Sequence, residues 1–215
     1  MNVPRPRLRF PAALVALALL SHGALADAAK PTPAVLQALA AEPPLPDIVE
    51  GRADAPATII EYASLTCSHC AAFHRDVWPK LKAKYVDSGK AKFVLREFPL
   101  DPLAAGAFML ARCAGGQKRG AIIDRLFDHQ SDWAFGDDPF SKLKRELAGA
   151  GMTEGQIADC LKDQALYDKV KETRAVAAAK LDLRSTPTFF VDGVRLDGEH
   201  KLEDFDKILS AAPAH

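Results

Sequence analysis

The stretch "IIEYASLTCSHCAAFH", Ile59 to His74, decides the reading of the fold. Its first part belongs to a strand from about Thr58 to Ala63, β-branched and aromatic with little polar content, as expected of a strand buried in a sheet. After Cys67 the pattern turns helical. In "CAAFHRDVWPKLKAKYV" the residues Phe73, Val77, Leu81 and Tyr85 fall four apart on one face, with a kink expected at Pro79. Two thiols, Cys67 and Cys70, therefore stand one helical turn apart where a strand gives way to a helix, with Ser68 and His69 between them. Zinc sites, haem attachment, structural disulfides and redox catalysis all use such close pairs, and the rest of the chain has to choose among them.

Upstream, residues 1–26 carry Arg5, Arg7 and Arg9, the apolar run "PAALVALALL", and "ALA" at Ala24 to Ala26. That is the pattern of a secretory signal peptide cleaved after Ala26. A membrane anchor would need an apolar run of about 20 residues, and no cysteine follows the run to take a lipid. Residues 27–46 are Ala/Pro-rich and read as a tether with one short helix near Val35 to Ala40. The chain has 215 residues, 48% of them hydrophobic, enough for one substantial core. Without the signal, 25 basic residues face 28 acidic ones, a formal charge of about −3 with no long run of either sign, so nucleic-acid binding gets no support. Export also permits disulfides, and all four cysteines (Cys67, Cys70, Cys113 and Cys160) lie beyond the signal.

Downstream, "AKFVLREFPL" gives a second strand at about Lys92 to Phe98. Residues 102–182 then read as helical, near 103–114, 119–130, 139–150, 153–162 and 164–182, with a capping box at Thr153 and Gln156. "TPTFFVDG" and "VRLDG" follow as two short strands joined by Asp192-Gly193, a strong hairpin signal, and "KLEDFDKILSA" closes as an amphipathic helix. The order predicts an α/β fold, residues 47–215, with a helical block packed on a small mixed sheet.

A disulfide-exchange catalyst needs one thiol ionised near neutral pH and a second to resolve the mixed disulfide. Cys67, at the helix start, meets unsatisfied backbone N–H groups and the positive end of the helix dipole, both of which favour thiolate. His69 adds a hydrogen bond or, protonated, a positive charge, and Cys70, one turn further in, is suited to attack second. Haem attachment would want His where Ala71 stands. Structural zinc would want a second ligand pair, whereas Cys113 and Cys160 are single and His74 is the only extra donor nearby. His22 lies in the signal, and His74, His129, His200 and His215 read as solvated residues without a role.

With "IIEYASLTCSHCAAFH" and "STPTFFVDG" in this order, the chain resembles the DsbA family of thiol-disulfide oxidoreductases, thioredoxin folds with a helical insertion, from about Ile48 to Ala211. The resemblance implies Cys67 as nucleophile, Cys70 as resolving thiol, Pro187 as a cis-proline facing them and Glu61 as a buried acid that handles protons. It also implies a Cys113–Cys160 structural disulfide, two separate buried thiols being the other reading. Ser68 departs from the proline usual in oxidase-type members, so oxidising strength is not carried over. A cis bond would turn the Thr186 backbone toward Cys67 to pair with an extended client. The expected protein is a periplasmic monomer that donates disulfides to cysteines of exported proteins. It would need no diffusible cofactor or metal, would not span the membrane, and would be reoxidised by a membrane partner. Disulfide isomerase or reductase activity is the alternative of the same chemistry. A metal-binding protein, or a holdase using an apolar surface around Phe73, Phe189 and Phe190, is the alternative of another class.

Overall fold

The computed structural model describes Met1 and residues 30–210. The signal-peptide reading falls, apart from Met1, outside those residues, as do His22 and His215. The central sheet, in the order β1-β3-β2-β4-β5, is built from β1 (Ile48–Glu50), β2 (Ala57–Ala63), β3 (Ala91–Glu97), β4 (Thr188–Val191) and β5 (Val194–Asp197). β2 and β3 run parallel and every other pairing is antiparallel. The parallel pair needs a crossover. It is supplied by α2 (Ser68–Asp76), α3 (Trp78–Leu81) and a π-helical turn at Lys82–Val86. The break expected at Pro79 falls at Val77, and Pro79 sits in the first turn of α3, where its missing N–H costs nothing. The hairpin of β4 and β5 turns through Asp192 and Gly193, both at positive φ, the conformation a tight two-residue turn requires.

Strand period decides which side chains meet. In β2, Ile59 and Ala63 face the larger core with Phe73, Trp78, Leu81, Phe93 and Phe189. Ile60 and Tyr62 face a second core with Val94, Phe98, Leu181 and Phe190. Glu61, between them in sequence, falls on the larger core's side. Both faces of β2 are buried because helices cover both, which is why its sequence reads as nearly continuous apolar.

The helical block consists of α4 (Pro102–Cys113), α5 (Gly116–Asp128), α6 (Gln130–Trp133), α7 (Pro139–Gly149), α8 (Glu154–Leu161) and α9 (Gln164–Leu181). The Thr153–Gln156 capping box starts α8. Leu126, Trp133, Leu143 and Leu147 are fully buried here and continuous with the larger core, so the block is not a separate body. A terminal helix, α10 (Leu202–Leu209), packs Phe205 against Phe73 and Phe189.

Three features differ from the sequence reading. β1 was not expected; at three residues it is too short to show a period. The short helix expected in the tether is there as α1 (Pro33–Ala40), but it is docked, with Leu39 buried in the second core and Leu36 against Gly193. Arg96 also donates to the Leu39 carbonyl at 3.0 Å, so this segment is packed onto the sheet. Finally, Phe73, Phe189 and Phe190 are at most 4% exposed. The apolar surface suggested for a holdase is core, because the two sheet faces that carry these rings are both covered.

Candidate functional site

Cys67 occupies the N-cap of α2 in an extended conformation, where Ser or Asp would ordinarily cap the orphan amides, and its side chain makes no cap hydrogen bond. Two elements of the helical block hold that junction in place. Asp101, N-cap of α4, accepts from the Thr66 hydroxyl at 2.6 Å and from the Ala104 amide at 2.8 Å. Buried Gln130, in α6, donates to the carbonyls of Leu65 at 2.8 Å and Cys67 at 3.0 Å. Gln130 was missed in the sequence. A glutamine in a four-residue helix carries no motif, and only its position in the fold reveals what it binds.

Across from α2, the Thr186–Pro187 peptide bond is cis, and the Cys67 thiol donates to the Thr186 carbonyl at 3.3 Å. The Thr186 hydroxyl is buried with no protein partner. Cys67 and Cys70 are both free thiols in buried positions, Cys67 at 7% exposure and Cys70 at none.

Their environments drive the two thiols apart. The Cys70 thiol, as hydrogen-bond donor, lowers the Cys67 pKa most. Burial opposes it, and the Thr186 side chain with the backbone amides of Cys70 and His69 completes the lowering, from an ordinary 9.0 to about 6. Cys70 moves the other way. Burial raises its pKa well above 9.0, and the neighbouring Cys67 and the Glu61 charge add to that. Opposed shifts on paired titratable groups are what divides a nucleophile from a second, protonated partner.

Ser68 is exposed in the first turn of α2. The His69 ring is 62% exposed and bonds to Glu199, in the loop after β5, which raises the His69 pKa. What His69 gives the Cys67 thiolate is its backbone N–H.

Glu61 is fully buried. Its Oε2 lies 2.8 Å from Nε2 of His74, while its Oε1 has no partner. Here the sequence reading of His74 as solvated is corrected: His74 is 5% exposed and stacked on Phe127 at 4.1 Å. It sits one turn past Cys70 on the face of α2 that meets the sheet, the side on which β2 presents Glu61. Cys113, at the end of α4, is joined by a disulfide to Cys160 of α8, with an S–S distance of 2.07 Å. Among the described residues no group of three or more His, Cys, Asp or Glu is placed to hold a metal ion, and no helix is long and apolar enough to cross a membrane.

A mixed sheet with a Cys-x-x-Cys helix start facing a cis-proline is the arrangement of the thioredoxin fold. A family model described as "Thioredoxin" matches residues 45–211. Wolbachia pipientis alpha-DsbA1 superposes with a TM-score of 0.71 at 32% identity, over 78% of this chain and 94% of that one. The chain belongs to the thioredoxin family, within its DsbA branch. It is also 32% identical, over 158 residues, to a Rickettsia bellii protein named by inference a protein-disulfide oxidoreductase. That match takes in 70% of this chain and 59% of that protein, so the chain spans about three fifths of such relatives. A protein-disulfide isomerase from Novosphingobium aromaticivorans, 22% identical over 78% of this chain and 98% of that one, shares the fold with a TM-score of 0.70.

Proposed function

We propose that this chain is an exported thiol-disulfide oxidoreductase that donates a disulfide to cysteines of newly exported proteins. The observation that carries the reading is the division of labour at the start of α2, where Cys67 is acidic at about pKa 6 and Cys70, one turn deeper, is held protonated. In the oxidised protein a client thiolate attacks the Cys67 sulfur. The Cys67–Cys70 bond breaks, Cys70 leaves with the electron pair, and a Cys67–client mixed disulfide forms. A second client thiolate then attacks the client sulfur, releasing Cys67 as a stabilised thiolate and the client with its disulfide. In this reading an extended client lies against Thr186 and Ser68, with Pro187 shaping the loop, and Glu61 exchanges a proton with Cys70.

The resemblance to periplasmic relatives and the basic, then apolar N-terminus support export to the periplasm by a cleaved signal. Reoxidation by a membrane redox partner and action as a monomer belong to the same reading. The Cys113–Cys160 bridge ties α4 to α8 and fits a structural role in an oxidising compartment. The deciding experiment is trapping. Cys70→Ser should accumulate thiol-sensitive adducts between Cys67 and exported proteins on a non-reducing gel, and Cys67→Ser should trap none. Equal trapping by the two variants would overturn the assignment of roles. Isomerase or reductase activity remains the competing reading because the Cys67 shift is moderate, and insulin reduction separates it.

A further inference from the structure

Cys70 leaves as a thiolate in a site without water contact, so something must protonate it at once, and Glu61 is the acid at hand. Glu61, however, cannot change charge alone, because a bare carboxylate with no counter-charge in a core is costly. The geometry around it supplies a partner. Glu61 Oε2 is bonded to Nε2 of His74, and the other carboxyl oxygen has no partner. The opposite nitrogen of the ring, Nδ1, is also buried without a hydrogen bond and lies 3.8 Å from Oδ1 of Asp124, a residue of α5 whose side chain is 45% exposed. The remainder of the ring's surroundings is aromatic: Phe73, Trp78, Phe93 and Phe127. Glu61 and Asp124 are thus the charged groups facing the imidazole, with Cys70 one turn before it on its own helix.

We infer that His74, with Asp124 at its outer edge, balances the charge of Glu61 during turnover by gaining or losing a proton at Nδ1. The inference rests on the proposed exchange between Glu61 and Cys70. In the disulfide state Glu61 is a carboxylic acid with its proton on Oε1, and His74 is neutral with its proton on Nε2, donated to Oε2. When the Cys67–Cys70 bond breaks, the Oε1 proton moves to the Cys70 sulfur. Glu61 becomes a carboxylate, and Nδ1 takes a proton from water by way of Asp124. The reduced state then holds a carboxylate–imidazolium pair beneath a neutral Cys70 thiol. Reoxidation runs every step backwards, so the Nε2–H···Oε2 bond never breaks and no lone charge is left in the core. The reduced structure agrees with this. Burial by itself would depress the His74 pKa, but the carboxylates of Glu61 and Asp124 outweigh it and raise it to about 9. His74 is a positioning residue here, since it touches neither client nor sulfur.

The test is nitrogen NMR of His74 in the wild-type protein at pH 7, in both redox states, joined to the rate at which glutathione opens the disulfide. The ring should be doubly protonated in the dithiol and neutral in the disulfide; the same protonation in both states overturns the inference. His74→Gln keeps a donor for Oε2 but cannot titrate, and should slow disulfide opening about tenfold, as expected if an acid loses about one pKa unit of support. Corrected for the thiolate fraction of glutathione, its rate should also lose the pH dependence expected of the wild type above pH 7. Asp124→Asn, a conservative change at a half-exposed side chain, should slow it less, about threefold, in the range of one partly exposed charge. Unchanged rates and pH profiles in both variants would contradict it. A wild-type protein whose disulfide glutathione does not open would sink the oxidoreductase reading instead, independently of what the NMR reports.

Discussion

Removing the Cys70 thiol tests how the Cys67 thiolate is made. Cys70 is the largest contributor to the lowered Cys67 pKa, ahead of Thr186 and the amides of α2. A hydrogen bond to a charged acceptor contributes roughly 1.5–3 kcal/mol, which at about 1.4 kcal/mol per unit is one to two pKa units. Cys70→Ala should therefore move Cys67 from about 6 to roughly 7–8. The change has a stability counterpart. A pKa lowered in the folded state contributes stability that is fully present above the unfolded value of 9.0 and is lost as pH falls through about 6. At pH 7 the shift is worth about 1.4 kcal/mol to the reduced wild type and should shrink below about 0.5 kcal/mol in Cys70→Ala. His69→Ala is the control. It keeps the backbone N–H and removes an exposed ring already paired with Glu199, so a shift of less than about half a unit is expected. Thiolate absorbance titration of both variants reads the result directly. A Cys67 pKa that stays near 6 in Cys70→Ala, or a larger shift in His69→Ala, would refute the reasoning and return the role to the imidazole.

Gln130→Ala should leave the carbonyls of Leu65 and Cys67 without their donor and cost roughly 1–3 kcal/mol in urea unfolding, with a change in Cys67 reactivity toward iodoacetamide. The Arg112 guanidinium pairs with the Glu97 carboxylate where their side chains are only 6% and 2% exposed, so Arg112→Ala should destabilise by roughly 3–5 kcal/mol, more than an exposed pair such as Arg52–Asp54. Replacing Cys113 and Cys160 together by Ala opens a 47-residue separation and should cost up to about 4 kcal/mol in thermal melts, with Cys67–Cys70 exchange retained.

The fold and the position of the thiol pair were legible because they rest on local signals. Strand composition at Thr58 to Ala63, a thiol pair at a helix start and the Asp-Gly hairpin each need only a few consecutive residues. What escaped depends on contacts far apart in the chain. His74 reads as polar in a helix of mixed character, and its burial follows from lying opposite Glu61 on β2, 13 positions earlier. Gln130 reaches Leu65 across 65 positions. Phe73, Phe189 and Phe190 were visible as apolar, but whether an apolar residue is core or surface depends on which faces of the sheet helices cover. His69 was visible as the neighbour of both cysteines; its bond to Glu199, 130 positions away, was not.

The reduction potential of the Cys67–Cys70 pair, measured by equilibration in glutathione buffers with alkylation of the free thiols, tests the donor role most directly. Stabilising the Cys67 thiolate stabilises the reduced form and leaves the disulfide ready to be given away. A donor of disulfides should therefore sit well above thioredoxin's value of about −270 mV, at about −180 mV or higher. A value at or below about −270 mV would contradict it, marking the pair as a reductant.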